Sequence, residues 1–180
     1  MRRIVVTGVA GFVGSNLADR LLADGYRVVG IDNLAYGVIE QVPAAVEFHE
    51  ADIRRPGLEP LLRGAEAVFH LAAKNCIADC EADPVETSDV NVTGSVNVFE
   101  SAHRAGVRRV VYAESSALYE GSTVFPTPES GEAPRSAYAL SKQAEGIFAD
   151  WLSVTLLWIS SPPLPILGFS SCRNRFKRST

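Results

Sequence analysis

The stretch Arg3-Ile4-Val5-Val6-Thr7-Gly8-Val9-Ala10-Gly11-Phe12-Val13-Gly14 decides how this chain folds. A short β-branched run over residues 3–7 ends on Gly8, and glycines recur as GxxGxxG at Gly8, Gly11 and Gly14. Glycine permits a tight turn, close approach of another backbone, and tight helix–strand packing. Leu17, Leu21 and Leu22 then supply the apolar stripe of a helix over 14–24, which Gly25 stops.

Working outward, the same alternation continues. Strand patterns are expected at 27–31, at 46–48, at 67–71 and at 107–113. One or two helical turns fit 58–63. A long helix opens on Asp83-Pro84, carries Val85, Val92, Val96 and Phe99 on its apolar face, and ends at Gly106. A loop rich in Pro, Gly, Ser and Thr over 120–135 precedes a last helix from Ala137. Strands that are apolar throughout and separated by helices belong to a parallel sheet covered on both faces, so the expected fold class is α/β, a doubly wound parallel sheet of the Rossmann kind.

Composition narrows the function classes. The 180 residues carry a net charge of −4, which offers no basic field to nucleic acid. Hydrophobic residues at 47% and charged residues at 21% suit an ordinary globular domain. Cys76, Cys80 and Cys172 follow no disulfide framework and suit a reducing cytosol; without a companion His or Cys cluster they predict no metal site. Residues 1–8 run straight into a strand and glycine turn, which does not read as a secretory signal.

A glycine turn between a strand and a helix points to a dinucleotide, because the helix N-terminus offers N–H groups and a positive dipole end to a pyrophosphate. Asp32 follows the second strand, 18 residues after Gly14. A carboxylate there accepts from the ribose hydroxyls of NAD and repels the extra phosphate of NADP, and no arginine follows it closely. Asp52-Ile53, after the third strand, is placed to bring a carboxylate toward the adenine amino group.

Tyr138-Ala139-Leu140-Ser141-Lys142 puts a phenol and an ammonium four residues apart, on one face of the last helix. A phenol with its ordinary pKa of about 10 is a poor base, and a neighbouring cation makes it a better one. A hydroxyl to share the proton is expected at the carboxyl end of the fifth strand, where either Ser115 or Ser116 qualifies.

In order along the chain, TGVAGFVG (7–14), Asp32-Asn33-Leu34, Asp52-Ile53, HLAA (70–73), NVTGSVNV (91–98), SSALY (115–119) and YALSK (138–142) resemble the NAD-dependent epimerase/dehydratase family, the extended short-chain dehydrogenases/reductases, nearest its UDP-hexose 4-epimerase branch. The likeness covers residues 1–152. It implies NAD as cofactor, with the backbone of Phe12 and Val13 at the pyrophosphate. It implies that Asn33 joins Asp32, Asp52 and Ile53 around the adenosine, that Leu71, Ala72 and Ala73 line the cofactor, and that Asn91 braces the active-site strands. It selects Ser115 as the catalytic hydroxyl, Tyr138 as the base and Lys142 as the residue that also holds the cofactor. The implied reaction oxidises a hydroxyl of a nucleotide sugar, a UDP-sugar, and returns the hydride. Two long helices resemble those that pair across the family's homodimer.

Two departures stand out. Glu120 separates Tyr119 from Gly121 where the family has Tyr-Gly, and Glu114 stands where a serine is usual. Sugar dehydratases of the family follow the catalytic hydroxyl with Asp and Glu, whereas Ser116 and Ala117 follow it here, favouring epimerisation. Steroid-type dehydrogenases share this core, and a non-catalytic NAD-binding protein would not need Ser115, Tyr138 and Lys142 together.

After Leu152 the pattern changes. Residues 1–152 hold 13 Lys/Arg and all 21 Asp/Glu, while 153–180 hold four basic residues and no acidic one. Pro162, Pro163 and Pro165 interrupt the apolar run well short of the ~20 residues needed to cross a bilayer, so no membrane anchor is expected. The expectation is an NAD-binding domain over 1–152 and an aberrant or disordered tail over 153–180, from a truncation or frameshift. The family's substrate domain would then be missing, the sheet incomplete, and turnover small.

Overall fold

The computed structural model describes residues 1–155. Five strands, β1 (Arg3–Thr7), β2 (Arg27–Asp32), β3 (Glu47–Glu50), β4 (Ala65–His70) and β5 (Val110–Tyr112), form one sheet in the order β3-β2-β1-β4-β5. Every neighbouring pair is parallel, with Val5 opposite Val29 on one side and Val68 on the other. The order reverses at β1, so the crevice between the loops after β1 and β4 lies at the topological switch point, where doubly wound sheets bind ligands.

Alternation along the strands fills a core on each face. Val5, Val29, Ile31 and Val68 pack with Leu62, Val98 and Ala102 on one side. Ile4, Val6, Val28 and Ala67 pack with Ala18 and Leu21 of α1 (Phe12–Ala23) on the other. This two-sided burial is why β1 and β2 read as continuous apolar runs.

The long helix expected from 83 to 106 forms over 84–104, with a π-turn inside it. Helix α2 (Glu59–Leu62) precedes β4, and a short helix that periodicity did not announce, α3 (Ile77–Ala82), follows it. Asp83 then caps α4 (Pro84–Ser88) by accepting from the Glu86 amide at 2.9 Å. The chain widens into a π-turn (Asp89–Gly94) before α5 (Ser95–Arg104). The widened turn brings Asn91 wholly inside the protein. Gly94 lets Ile53 pack closely there: a Cβ would lie 2.7 Å from Ile53 Cδ1, so that side chain would have to shift.

The final helix, α6 (Ala137–Thr155), starts where expected and packs on α3, α4, α5 and the π-turn. Beyond residue 155 the tail lies outside the described residues, as does Cys172. Cys80 is buried and Cys76 exposed, both as free thiols. Among the described residues no helix is long and apolar enough to cross a membrane.

Candidate active site and cofactor crevice

The glycine turn is shaped for close approach. Gly8 adopts φ +72°, and a Cβ on it would sit 2.7 Å from the Ala72 nitrogen. A Cβ on Gly14 would run into the Gly8 carbonyl and sit 2.8 Å from Val9 Cα. The Gly11 amide donates to Gly8 O at 3.1 Å, closing the turn directly before α1. First-turn amides of an α-helix have no acceptor within the helix. Those of Phe12 and Val13 stand at an exposed edge, the Phe12 residue being 80% exposed.

Asp32 bridges this turn to the end of β2. Its Oδ2 accepts from the Ala10 amide at 3.0 Å and its Oδ1 from the Leu34 amide at 2.8 Å. A carboxylate has about four acceptor positions, so these two bonds hold the group in place and leave capacity for hydroxyl donors. Asn33 and Asp52 meet through a 3.3 Å hydrogen bond. Asp52 is also gripped by Arg54, from Nε at 3.0 Å and Nη2 at 2.6 Å, and this guanidinium holds its carboxyl well below the usual carboxylate range. Asp52 thus spends its acceptors on Asn33 and Arg54. Ile53 is buried against Gly94, its carbonyl accepting from Asn97 at 2.6 Å.

At the end of β4, the Leu71 and Ala72 amides donate to Thr7 Oγ1 at 3.2 and 3.3 Å. Ala73 leads into Lys74, whose backbone is held on both sides by Asn91. Asn91 Oδ1 accepts from the Lys74 amide at 2.8 Å, and Nδ2 donates to the Lys74 carbonyl at 2.9 Å and to Ser141 Oγ at 3.0 Å. Ser141 sits between Tyr138 and Lys142 and returns a 2.7 Å hydrogen bond to the Tyr138 carbonyl.

Ser115, half-buried, caps the 3-10 turn Ser116–Tyr119 by accepting from the Ala117 amide at 3.1 Å, which leaves its proton free to donate elsewhere. Ser116 is exposed. That turn packs on α6, so the end of β5 and the Tyr138 helix are neighbours. Glu120, the extra residue after Tyr119, accepts from the Arg135 and Ser136 amides just ahead of α6, and those donors lower its carboxyl pKa. Glu81 of α3 accepts from the Ala137 amide at 2.5 Å. Two carboxylates thus meet the positive end of the helix that carries Tyr138 and Lys142.

Beneath these residues lies a buried polar line not foreseen from the sequence. Thr7 Oγ1 contacts His70 Nδ1 at 2.7 Å, and His70 Nε2 contacts Ser95 Oγ at 2.9 Å. Ser95 spends its proton on the Asn91 carbonyl at 2.7 Å, so His70 carries its proton on Nε2 and accepts from Thr7 on Nδ1. Burial, reinforced by the charge of Lys142, pushes the imidazole down to about 3 and keeps it neutral. Its 3.9 Å approach to Glu145 is therefore not an ion pair. Glu145 itself pairs with Lys142. Its signal was present in the sequence: Tyr138, Lys142 and Glu145 follow the 4-then-3 spacing of one helical stripe.

Known proteins resemble this chain in sequence and in fold. Residues 4–151 match the model of the NAD dependent epimerase/dehydratase family. A UDP-glucose 4-epimerase of Mycolicibacterium smegmatis is 42% identical over 155 residues, covering 81% of this chain and 50% of that protein. The crystal structure of the Thermus thermophilus UDP-glucose 4-epimerase complex with NAD superposes with a TM-score of 0.80 at 34% identity, over 86% of this chain and 51% of that one. A crystal structure of a UDP-galactose 4-epimerase also gives 0.80, at 37% identity, over 87% and 53%. The chain spans about half the length of the relatives it matches. With its five-stranded parallel sheet and these matches, the chain belongs to the NAD dependent epimerase/dehydratase family.

Proposed function

We propose that residues 1–152 are the NAD-holding part of a UDP-glucose 4-epimerase-like enzyme whose catalytic residues are Ser115, Tyr138 and Lys142. The observation that carries this reading is the hydrogen bond from Asn91 to Ser141. It ties the Tyr138–Lys142 helix to the loop after β4, one wall of the crevice whose other wall is the glycine turn.

The residues fit the cofactor. The cradle around Gly8 and Gly14 has no room for a Cβ, and Asp32 keeps free acceptor capacity for a ribose diol. Phe12 and Val13 amides would meet the pyrophosphate; Asn33, Asp52 and Ile53 would flank the adenosine; Leu71, Ala72 and Ala73 would line the cofactor where β4 ends. When bound, NAD supplies reversible hydride transfer at a sugar carbon. Tyr138 would take the hydroxyl proton as that carbon is oxidised and give it back on return. Ser115 would hold the sugar oxygen with the proton its cap leaves free. Lys142 would donate to the ribose hydroxyls and stabilise negative charge on the phenol oxygen. Neither Ser116 nor Ala117 is ionisable, which speaks against the extra acid–base pair that dehydration needs.

A second copy of the chain is the proposed partner for the exposed apolar stripe of α6, Leu140, Ile147 and Trp151, with Val85 of α4. Free thiols at Cys76 and Cys80 accord with a cytoplasmic setting.

A chimera of residues 1–155 with the carboxyl-terminal half of the Mycolicibacterium smegmatis relative tests the reaction. Interconversion of UDP-glucose and UDP-galactose, lowered at least about a hundredfold by Y138F, is the expected result. A folded chimera that binds NADH and interconverts neither sugar would overturn epimerisation in favour of a non-catalytic NAD-binding role.

A further inference from the structure

Lys142 and Glu145 form an ion pair in the interior, behind the crevice. Lys142 is 3% exposed and Glu145 1%, so the ammonium points into the domain and not toward solvent. Glu145 Oε2 takes the lysine, while Oε1 is buried with no hydrogen-bond partner among the described residues. An ionised carboxylate with one orphaned oxygen in such a place is poorly compensated.

The surroundings of Glu145 add little relief. From β4, His70 faces it at 3.9 Å and is neutral. From α5, the Ser95 hydroxyl is near enough to favour the charged form slightly, but its proton is engaged with the Asn91 carbonyl. From the end of β5, Glu114 and Tyr112 lie beside the next residue of α6, 3.1 and 3.6 Å from where a Cβ on Gly146 would sit. Glu114 is a like charge. Toward α3 and α4, Lys74 is paired with Glu86 at 2.6 Å, and Glu81 is bound to the Ala137 amide. The 3-10 turn contributes Tyr119, whose hydroxyl donates to the Glu129 carbonyl. The only cation facing Glu145 among the described residues is therefore Lys142.

We propose that Glu145 is a proton-operated catch on Lys142: ionised, it keeps the ammonium inside the domain, and protonated, it releases the ammonium to the ribose hydroxyls of the cofactor. Glu145 is a positioning residue that acts through Lys142. If Lys142 moves to the cofactor while Glu145 stays ionised, a carboxylate is left buried beside Glu114 without a counter-charge. Taking up one proton removes that charge, so cofactor binding and protonation of Glu145 are linked. Burial, only partly offset by Lys142, already raises this carboxyl to about 7, within the range where the catch would operate. The inference rests on the reading of Lys142 as a cofactor-holding residue.

NADH binding by the full chain, followed by its fluorescence at pH 6 and pH 8, tests this in the natural sequence, E145Q and K142M. In the natural chain, affinity should fall about tenfold from pH 6 to pH 8, as the binding-competent protonated fraction falls. E145Q should bind at pH 8 as tightly as the natural chain at pH 6, and change by less than about twofold across the range. K142M should bind more weakly at both pH values. Calorimetry in buffers of different ionisation heat should find about one proton taken up per NADH at pH 8 by the natural chain. An unchanged pH dependence in E145Q, or weaker binding by it at both pH values, overturns the catch while leaving Lys142 a cofactor ligand. NADH affinity unaltered in K142M overturns the reading of Lys142 and the catch with it. Should E145Q fail to fold by circular dichroism, absence of proton uptake in the natural chain is the overturning result.

Discussion

Asn91 Nδ2 lies 3.0 Å from Ser141 Oγ, joining a π-turn to the helix that carries Tyr138 and Lys142 across 50 residues of sequence. The same amide group holds both backbone polar groups of Lys74. One buried side chain therefore sets the relative position of the loop after β4 and α6. π-turns recur at functional sites because the extra residue per turn re-aims a side chain.

Replacing this residue is expected to be costly. Asn91→Ala strands the Lys74 amide, leaves its carbonyl only the weak Cys80 thiol donor at 3.5 Å, and removes a partner of Ser141, all in the interior. The expected loss is about 2–4 kcal/mol in urea unfolding, because buried groups left unpaired lose their full solvation. A loss below about 1 kcal/mol would show that the bridge does not organise the site.

Two glycines with the same sign of φ should respond differently. Gly8→Ala places a methyl 2.7 Å from the Ala72 nitrogen, whereas Gly25, at φ +80°, has nothing within 4 Å. Gly25→Ala should cost about 1 kcal/mol of backbone strain and leave NADH affinity unchanged. Gly8→Ala should abolish measurable NADH binding in titrations. Equal binding by the two variants would remove the glycine turn from the cofactor site.

Asp32→Asn keeps the shape of the side chain and removes its charge. The ratio of NADH to NADPH affinity should drop by about tenfold or more, since a carboxylate near an added phosphate is worth at least 1–4 kcal/mol at contact distance. Paired titrations with the two dinucleotides measure this, and an unchanged ratio counts against Asp32 at the ribose.

The buried titratable groups impose opposite pH dependences. His70 is depressed to about 3 from its ordinary 6.5, so the unfolded chain binds the extra proton. Its contribution to stability is complete above about 6.5 and is lost as pH falls toward 3. Glu145 is raised to about 7 from 4.5, so the folded chain binds the extra proton, and stability falls as pH rises from about 4.5 to 7. The two slopes partly cancel between about 4.5 and 6.5. Urea midpoints of E145Q should therefore climb more steeply with pH in that window than those of the natural chain; parallel profiles would contradict the assignment.

The stripe Leu140, Ile147 and Trp151 is expected to be covered by a second copy. Light scattering should find the natural chain as a dimer and Ile147→Glu as a monomer, since a charge in an apolar interface is left unpaired. A natural chain that stays monomeric at all concentrations removes this partner.

Much of the domain was legible along the chain because its signals are local. Strand β1 and the Gly8–Gly11–Gly14 turn announce themselves through composition and spacing, and Asp83-Pro84 marks a helix start through cap chemistry. Spacing was silent on one detail of that helix. The apolar periodicity over 85–99 gives the helix but not the π-turn inside it, where Ile53 packs on Gly94 and Asn91 bonds Lys74 and Ser141. Glu120 was visible only as an irregularity after Tyr119; its place under the amides of Arg135 and Ser136 depends on how a loop returns to α6.

The sequence by itself determined the parallel α/β fold, the glycine turn with its acidic partner Asp32, and the Tyr138–Lys142 face, because each rests on backbone conformation or helical spacing within a few residues. Only the tertiary structure decided what those groups touch. It set Asp52 against Arg54, made His70 a neutral link between Thr7 and Ser95, and turned Lys142 inward onto Glu145. Burial is a property of the packed whole, and it is burial that makes a carboxylate beside a lysine a proton-sensitive partner instead of one more surface charge.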